Sequence, residues 1–188
     1  MPVRRTAVAP SRPNSSAPLE GIWRFSAHPE CTGREPIIST MSDVEAIKRA
    51  AAERARKMGL SYVGALLPKE AHALMQAGAK LVDVRTKPEL VYVGKIPGSI
   101  TLEWQTYPGN RPNSEFLDEL GAVASKDVPL MFICRSGARS DGAAQAATQA
   151  GWRECYNVLE GFEGDKDGEQ HRNSVGGWRK AGLPWVQS

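Results

Sequence analysis

Cysteine is scarce in this chain. Its three residues, Cys31, Cys134 and Cys155, form an odd set with no CxxC spacing. That argues against a disulfide framework or a zinc ligand set, and it fits a reducing, cytoplasmic setting. Histidine is as rare: His28, His72 and His171 all lie far from Cys134 in sequence, so no Cys–His dyad is read. No apolar stretch reaches the ~18 residues of a membrane helix. A secretory signal would need a hydrophobic region that the chain lacks, and the Arg4-Arg5 pair has no apolar stretch after it. Runs of lysine or arginine are missing too, and a net charge of +3 leaves no electrostatic footprint for a nucleic-acid partner. Neither a membrane nor a nucleic acid is therefore an expected partner.

What remains is the composition of a soluble globular protein, with 41% hydrophobic and 24% charged residues. The length suits one domain with a sizeable core. Residues 1–40 stand apart. "MPVRRTAVAPSRPNSSAPLEG" is rich in Pro, Ser, Ala and Arg without hydrophobic periodicity, so a disordered N-terminal extension is expected. A transit-peptide pattern is interrupted by Glu20, Glu30 and Glu35. From Met41 the texture is helical, with Ser42 and Glu45 placed as a capping box, and the N-terminal helix is assigned to 41–60.

Helix and strand patterns then alternate. "SYVGALLP" reads as an extended lead-in, "PKEAHALMQAG" as a helix started by Pro68 and ended by Gly78, and "AKLVDVR" as a short strand. "PGSITLEW" is a turn and a short extended piece, and "NSEFLDELGAVA" a helix capped by Asn113 or Ser114. "VPLMFIC" is apolar throughout, as a strand buried on both faces must be. "ARSDGAAQAATQAG" is a helix closed by Gly151, and "CYNVLE" a further strand. "SVGGWRKAGLPW" reads as a final short helix and a docking segment. This order gives an α/β fold: a mostly parallel sheet flanked by helices on both faces.

The chemistry concentrates in "FICRSGARS", where a buried strand ends in Cys134. In open parallel sheets, ligands sit at the carboxyl ends of strands. Three features there would favour thiolate over thiol. The helix opening near Ala138–Ser140 directs unpaired N–H groups at the sulfur. Arg135 and Arg139 add positive charge, and Gly137 and Ala138 are small enough to let the amides of Arg135–Ser140 curl into an anion nest. An inert buried cysteine would need none of these.

"CRSGARS" resembles the active-site loop of the rhodanese superfamily, the thiosulfate sulfurtransferases. "LVDVRTKPELVYVGKIPGSI" resembles that family's first motif, through Asp83, Arg85, Glu89, Gly94, Ile96, Pro97, Gly98 and Ser99. "YNVLEGF" and "GWRKAGLPW" resemble its closing strand and C-terminal motif, so the likeness spans residues 62–186. The resemblance implies a single rhodanese-like domain, assigned to 61–188, with a five-stranded sheet. It implies that Cys134 is a nucleophile that takes sulfane sulfur from a small-molecule donor such as thiosulfate. The Cys134 persulfide then passes the sulfur to cyanide, to a thiol or to a protein partner. No metal or cofactor enters this scheme. A protein-to-protein persulfide carrier is the alternative within the class. A cysteine-based phosphatase or arsenate reductase of the same fold is disfavoured because those carry Cys-x5-Arg. Here the spacing from Cys134 to Arg139 is Cys-x4-Arg, and Ser140 holds the next position.

Within this scheme Arg135 is the expected grip on the donor's sulfonate, and Arg139 is expected either to line the nest or to pair with a carboxylate, Asp83 before any other. Asp83, Arg85 and Glu89 are read as braces through ion pairs and hydrogen bonds rather than as acids or bases. Lys95 stands where the family usually has histidine. Cys155 is read as a buried strand residue, His72 as surface or packing, and Trp152, Trp178 and Trp185 as core and docking anchors. The polar stretch "GFEGDKDGEQHRNSVGGW" reads as an insertion over or beside the active rim. Its Asp165, Asp167 and Gly168 lack the remaining ligands of a calcium loop.

Overall fold

The structure, a computed structural model, describes residues 41–187. The disorder expected of 1–40, together with Cys31, His28 and Arg4-Arg5, lies outside the described residues. Five helices and seven strands follow one another as α1 (Met41–Met58), β1 (Gly64–Leu66), α2 (Pro68–Gln76), β2 (Lys80–Asp83), α3 (Lys87–Tyr92), β3 (Ile100–Thr101), β4 (Gln105–Thr106), β5 (Arg111–Pro112), α4 (Phe116–Val123), β6 (Leu130–Ile133), α5 (Ala138–Gln149) and β7 (Cys155–Val158).

The central sheet has the order β1-β7-β6-β2-β3, and every pairing in it is parallel. Strand β6 is buried along its whole length, and its alternation divides the core. Leu130 and Phe132, with Cys134 beyond, join α4 and α5 on one face through Phe116, Leu120, Ala143, Ala144 and Ala147. Met131 and Ile133 join α1 and α2 on the other through Ala51, Ala71 and Leu74. Small residues on α5 let it lie close to the sheet, which fixes where its N-terminus points. Helices cover both faces, as the alternating sequence pattern requires.

Gly59, Gly78 and Gly151, all at positive φ, follow α1, α2 and α5 as expected. Other local readings change. Ser42 lies inside α1, whose span already includes Met41. No side chain caps α4 at Glu115; Asn113 instead accepts the Glu115 amide in a turn. The tail folds as turns rather than a helix, because Gly176, Gly177 and Gly182 are poor helix residues. It still docks: Val186 bridges Lys95, Trp178 is fully buried, and Trp185 packs on the same core face. Trp152 is buried in the opposite one. Two short elements were not anticipated, namely α3 and the β4–β5 hairpin. Both belong to the site.

Candidate active site

The chain runs outward from β2 to β3 and returns to place β6 on β2's other side. The carboxyl ends of β2 and β6 therefore flank a topological switch point, where parallel sheets open a crevice. Cys134 follows directly on β6 at that point.

Its loop is fastened from below by backbone. Phe162 N donates to the Cys134 carbonyl at 2.8 Å, and Glu163 N to the Arg135 carbonyl at 2.9 Å. Gly161, at φ +63°, passes so close that a Cβ there would lie 2.6 Å from the Cys134 carbonyl oxygen. Gly137 caps α5 in the left-handed region at φ 97°, and a Cβ there would collide with the Leu159 carbonyl. Both positions need glycine.

Two donors reach the sulfur. Gly137 N lies 3.2 Å from Cys134 Sγ and Ser140 Oγ 3.3 Å from it. Ser140 Oγ also lies 3.1 Å from the Gly137 carbonyl, yet a hydroxyl has one proton to give. When the sulfur is anionic that proton turns to it. The Gly137 carbonyl then keeps two other donors: the Asp141 amide at 3.0 Å and Asn157 Nδ2 at 3.2 Å. Asn157 is a buried amide on β7 that the sequence reading passed over. Its visible signal is a polar residue inside the apolar strand "CYNVLE".

Arg139 leaves the loop to fork onto Glu89 of α3, at 2.8 and 2.7 Å. This corrects the expected pairing with Asp83. Alternation along β2 sets Val82 and Val84 on Cys134's face of the sheet and turns Asp83 to the other. There Asp83 is paired with Arg85, the closest contact being 2.6 Å with both side chains fully buried. Arg85 also donates to the Gly94 carbonyl at 2.8 Å and stacks over the Phe162 ring. Asp83 and Arg85 are thus braces beneath the site rather than groups lining it. Burial pushes the Glu89 carboxyl up, but bonds from Arg139 and from Thr86 outweigh that and hold it at about 2. For Arg139, burial disfavours the charge; Glu89, and then Cys134 and Asp83, raise its pKa above the ordinary value.

Above the sulfur lies a cleft of about 600 Å³. Cys134 is only 1% exposed, but it lines this cleft together with Arg135, Ser136, Ala138 and Arg139. Thr86, Pro88, Glu89 and Val93 form one wall, and Gln105, Tyr107 and Asn110 of the hairpin region another. The thiol is the floor of an open crevice. Gly137 and Ser140 are buried behind it.

The remaining expected groups lie elsewhere. Cys155 pairs with Leu130 at the opposite end of β6, a strand length of about 13 Å from Cys134 at ~3.3 Å per residue, and burial pushes its thiol up. His72 packs edge-on against Trp178. The 163–176 insertion contributes no residue to the cleft wall; it is tied to the loop by the Glu163 amide on the Arg135 carbonyl and closed on itself by Asn173 N donating to Glu163 O. Asp167 Oδ1 accepts the Glu169 and His171 amides and its Oδ2 accepts the Ser174 hydroxyl, so it braces the insertion itself. Among the described residues no three His, Cys, Asp or Glu converge on a metal site, and no helix is long and apolar enough to cross a membrane.

Known proteins resemble this chain in sequence and in fold. The model of the rhodanese-like domain matches residues 67–167. Uncharacterized protein RC0915 of Rickettsia conorii is 37% identical over 115 residues, spanning 57% of this chain and 82% of its own length. The thiosulfate sulfurtransferase GlpE of Pseudomonas aeruginosa is 33% identical over 98 residues, spanning 52% of this chain and 79% of its own. The crystal structure of Rv0390 from M. tuberculosis superposes with a TM-score of 0.63 at 42% identity, covering 68% of this chain and all of that one.

Proposed function

The chain belongs to the rhodanese-like domain family, and on that premise we propose that it is a sulfurtransferase working through a Cys134 persulfide. The observation that carries the reading is the sulfur at the cleft floor, met by the Gly137 amide at 3.2 Å and the Ser140 hydroxyl at 3.3 Å. These donors stabilise negative charge on sulfur in a site shielded from bulk water, as an oxyanion hole does for oxygen. The similarity to the thiosulfate sulfurtransferase GlpE supports thiosulfate as a donor.

In the first half-reaction the Cys134 thiolate attacks the sulfane sulfur of the donor. The donor's S–S bond breaks, and sulfite leaves with the bonding pair. The outer sulfur then rests among the loop amides from Arg135 to Ser140. Among the described residues Arg135 has no side-chain partner and stands exposed at the rim, free to hold the sulfonate. Arg139 is committed to Glu89, which neutralises its charge and anchors the loop to α3. In the second half-reaction an acceptor nucleophile, a thiol or cyanide, takes the outer sulfur and returns the electron pair to Cys134. This is ping-pong covalent catalysis.

Intact mass spectrometry after thiosulfate treatment tests the proposal. Wild type should gain one sulfur atom, Cys134→Ala none, and cyanide should remove the gain. A chain that takes no sulfur from thiosulfate or from a persulfide donor, or an adduct that survives in Cys134→Ala, would overturn the reading.

A further inference from the structure

Resting on the sulfurtransferase reading, we infer that Asn157 of β7 is a positioning residue for the thiolate: it occupies the Gly137 carbonyl so that the Ser140 proton is released to Cys134 Sγ. A carbonyl oxygen has two lone pairs, and three donors crowd this one. They are the Asp141 amide at 3.0 Å, Ser140 Oγ at 3.1 Å and Asn157 Nδ2 at 3.2 Å. The Asp141 bond is the first backbone bond of α5, so giving it up would unwind the helix's first turn. Of the other two donors, Ser140 has a second acceptor in Cys134 Sγ at 3.3 Å. With Asn157 on the remaining lone pair, the anionic sulfur is the better acceptor for that hydroxyl. Without Asn157 the hydroxyl would satisfy the carbonyl, and the sulfur would keep one donor, the Gly137 amide at 3.2 Å.

The setting of Asn157 shows what its amide supplies. Its neighbours Cys155, Tyr156 and Val158 on β7 are all buried, and an apolar side chain would meet the demands of packing there. Among the described residues Asn157 Oδ1 is buried with no hydrogen-bond partner, an unfavourable state that native interiors keep rare. Turning the amide over would set that oxygen against the Gly137 carbonyl, so the donor side must face the loop. Asp141 is held as well: Tyr62 donates its hydroxyl to Asp141 Oδ1 at 2.6 Å, and Gln145 Nε2 donates to Asp141 Oδ2 at 2.7 Å. Burial first, and then the Asp141 bond, push the Tyr62 hydroxyl up, while Asn157 opposes them. Tyr62 therefore stays a neutral donor. The first turn of α5 is pinned to Tyr62 and to β7, and the proton with two destinations is that of Ser140.

Full-length chains are compared by sulfur loading from thiosulfate and by iodoacetamide alkylation of Cys134, each followed by mass across pH. On the rising limb of both profiles Asn157→Ala should be about fivefold slower than wild type, within the roughly tenfold expected of Ser140→Ala. Both limbs should move to higher pH by about 0.7 of a unit, the same factor in thiolate. Asn157→Leu, which fills the space and donates nothing, should match it. The double variant Asn157→Ala/Ser140→Ala should be no slower than Ser140→Ala, because Asn157 acts through that hydroxyl. Arg135, Arg139, Glu89, Asp141 and Tyr62 are unaltered throughout, so their charges cannot produce the shift. Full recovery in Asn157→Leu, unmoved profiles, or losses that multiply in the double variant would overturn the inference. A wild type that takes no sulfur from thiosulfate or from a persulfide donor would instead defeat the sulfurtransferase reading, and the alkylation profiles then decide the role of Asn157 by themselves.

Discussion

Replacing Glu89 with glutamine removes a charge from the one carboxylate that ties α3 to the nucleophile's loop. In wild type that carboxylate accepts two bonds from Arg139 and two from Thr86, through its amide at 2.9 Å and its hydroxyl at 2.8 Å. Its pKa is lowered from an ordinary 4.5 to about 2, which caps the coupling near ~3 kcal/mol at 1.36 kcal/mol per pH unit. Both side chains keep some exposure, 18% for Arg139 and 17% for Glu89, so solvent screening brings the expected loss to about 2 kcal/mol. For a chain of this size that is a fall of roughly 4–8 °C in Tm. The sign with pH is fixed. A carboxylate whose folded pKa is depressed contributes fully above its unfolded value and loses that contribution as pH drops through the folded one. The stability gap between wild type and Glu89→Gln should therefore be complete at pH 7, begin to close below about 4.5, and largely vanish near 2. Paired thermal melts across that range provide the measurement. Equal melting points at pH 7, or a gap undiminished at pH 3, would refute the reasoning that the Arg139 pair carries this energy.

Three further perturbations separate the parts of the site. Gly161→Ala places a Cβ 2.6 Å from the Cys134 carbonyl in a left-handed residue, which costs about 1–2 kcal/mol for backbone alone. Its melting point and its sulfur loading should both fall, while Gly168→Ala, with open space around it, should change neither. Ser140→Ala removes the hydroxyl 3.3 Å from Sγ and should slow sulfur loading roughly tenfold, less than the loss of a full oxyanion-hole donor, as rapid-quench mass spectrometry would show. Asp83→Asn strands a fully buried Arg85 at a cost of about 3–5 kcal/mol. The double change Asp83→Leu/Arg85→Met should recover most of that in denaturant titrations, and no recovery would mean that the pair does more than brace the strand.

Much of this architecture could be read from the residues in order. A fully apolar "LMFI" run with a cysteine after it specifies a central strand delivering a thiol to the sheet's edge, and glycines mark where the long helices stop. The cleft walls were less legible. Helix α3 has six residues and each hairpin strand two, too short for any period to emerge. Their signals were local ones: Thr86 and Glu89 in capping-box spacing, and Pro108-Gly109-Asn110 as turn residues. The partner of Arg139 was illegible for a different reason. Asp83 and Glu89 lie six positions apart, and only the pleat of β2, which turns Asp83 away toward Arg85, decides between them.

The low exposure of Cys134 and its proposed chemistry are two sides of one arrangement. A thiol sealed by packed hydrocarbon would have no donors to hold an anion and no route for a substrate. Here one side of the sulfur is covered by its own loop's amide and hydroxyl, while the cleft lies on the other. A persulfide would place its outer sulfur about 2 Å beyond Sγ, within the loop whose residues Arg135, Ser136, Ala138 and Arg139 line that cleft. The loop cannot swing the sulfur elsewhere, because the Cys134 and Arg135 carbonyls are tied to the amides of Phe162 and Glu163 and Arg139 is tied to Glu89. Donor and acceptor must therefore enter the same crevice in turn. A double displacement at a fixed atom requires this, and it explains why the walls, rather than the nucleophile, are where this chain can discriminate between acceptors.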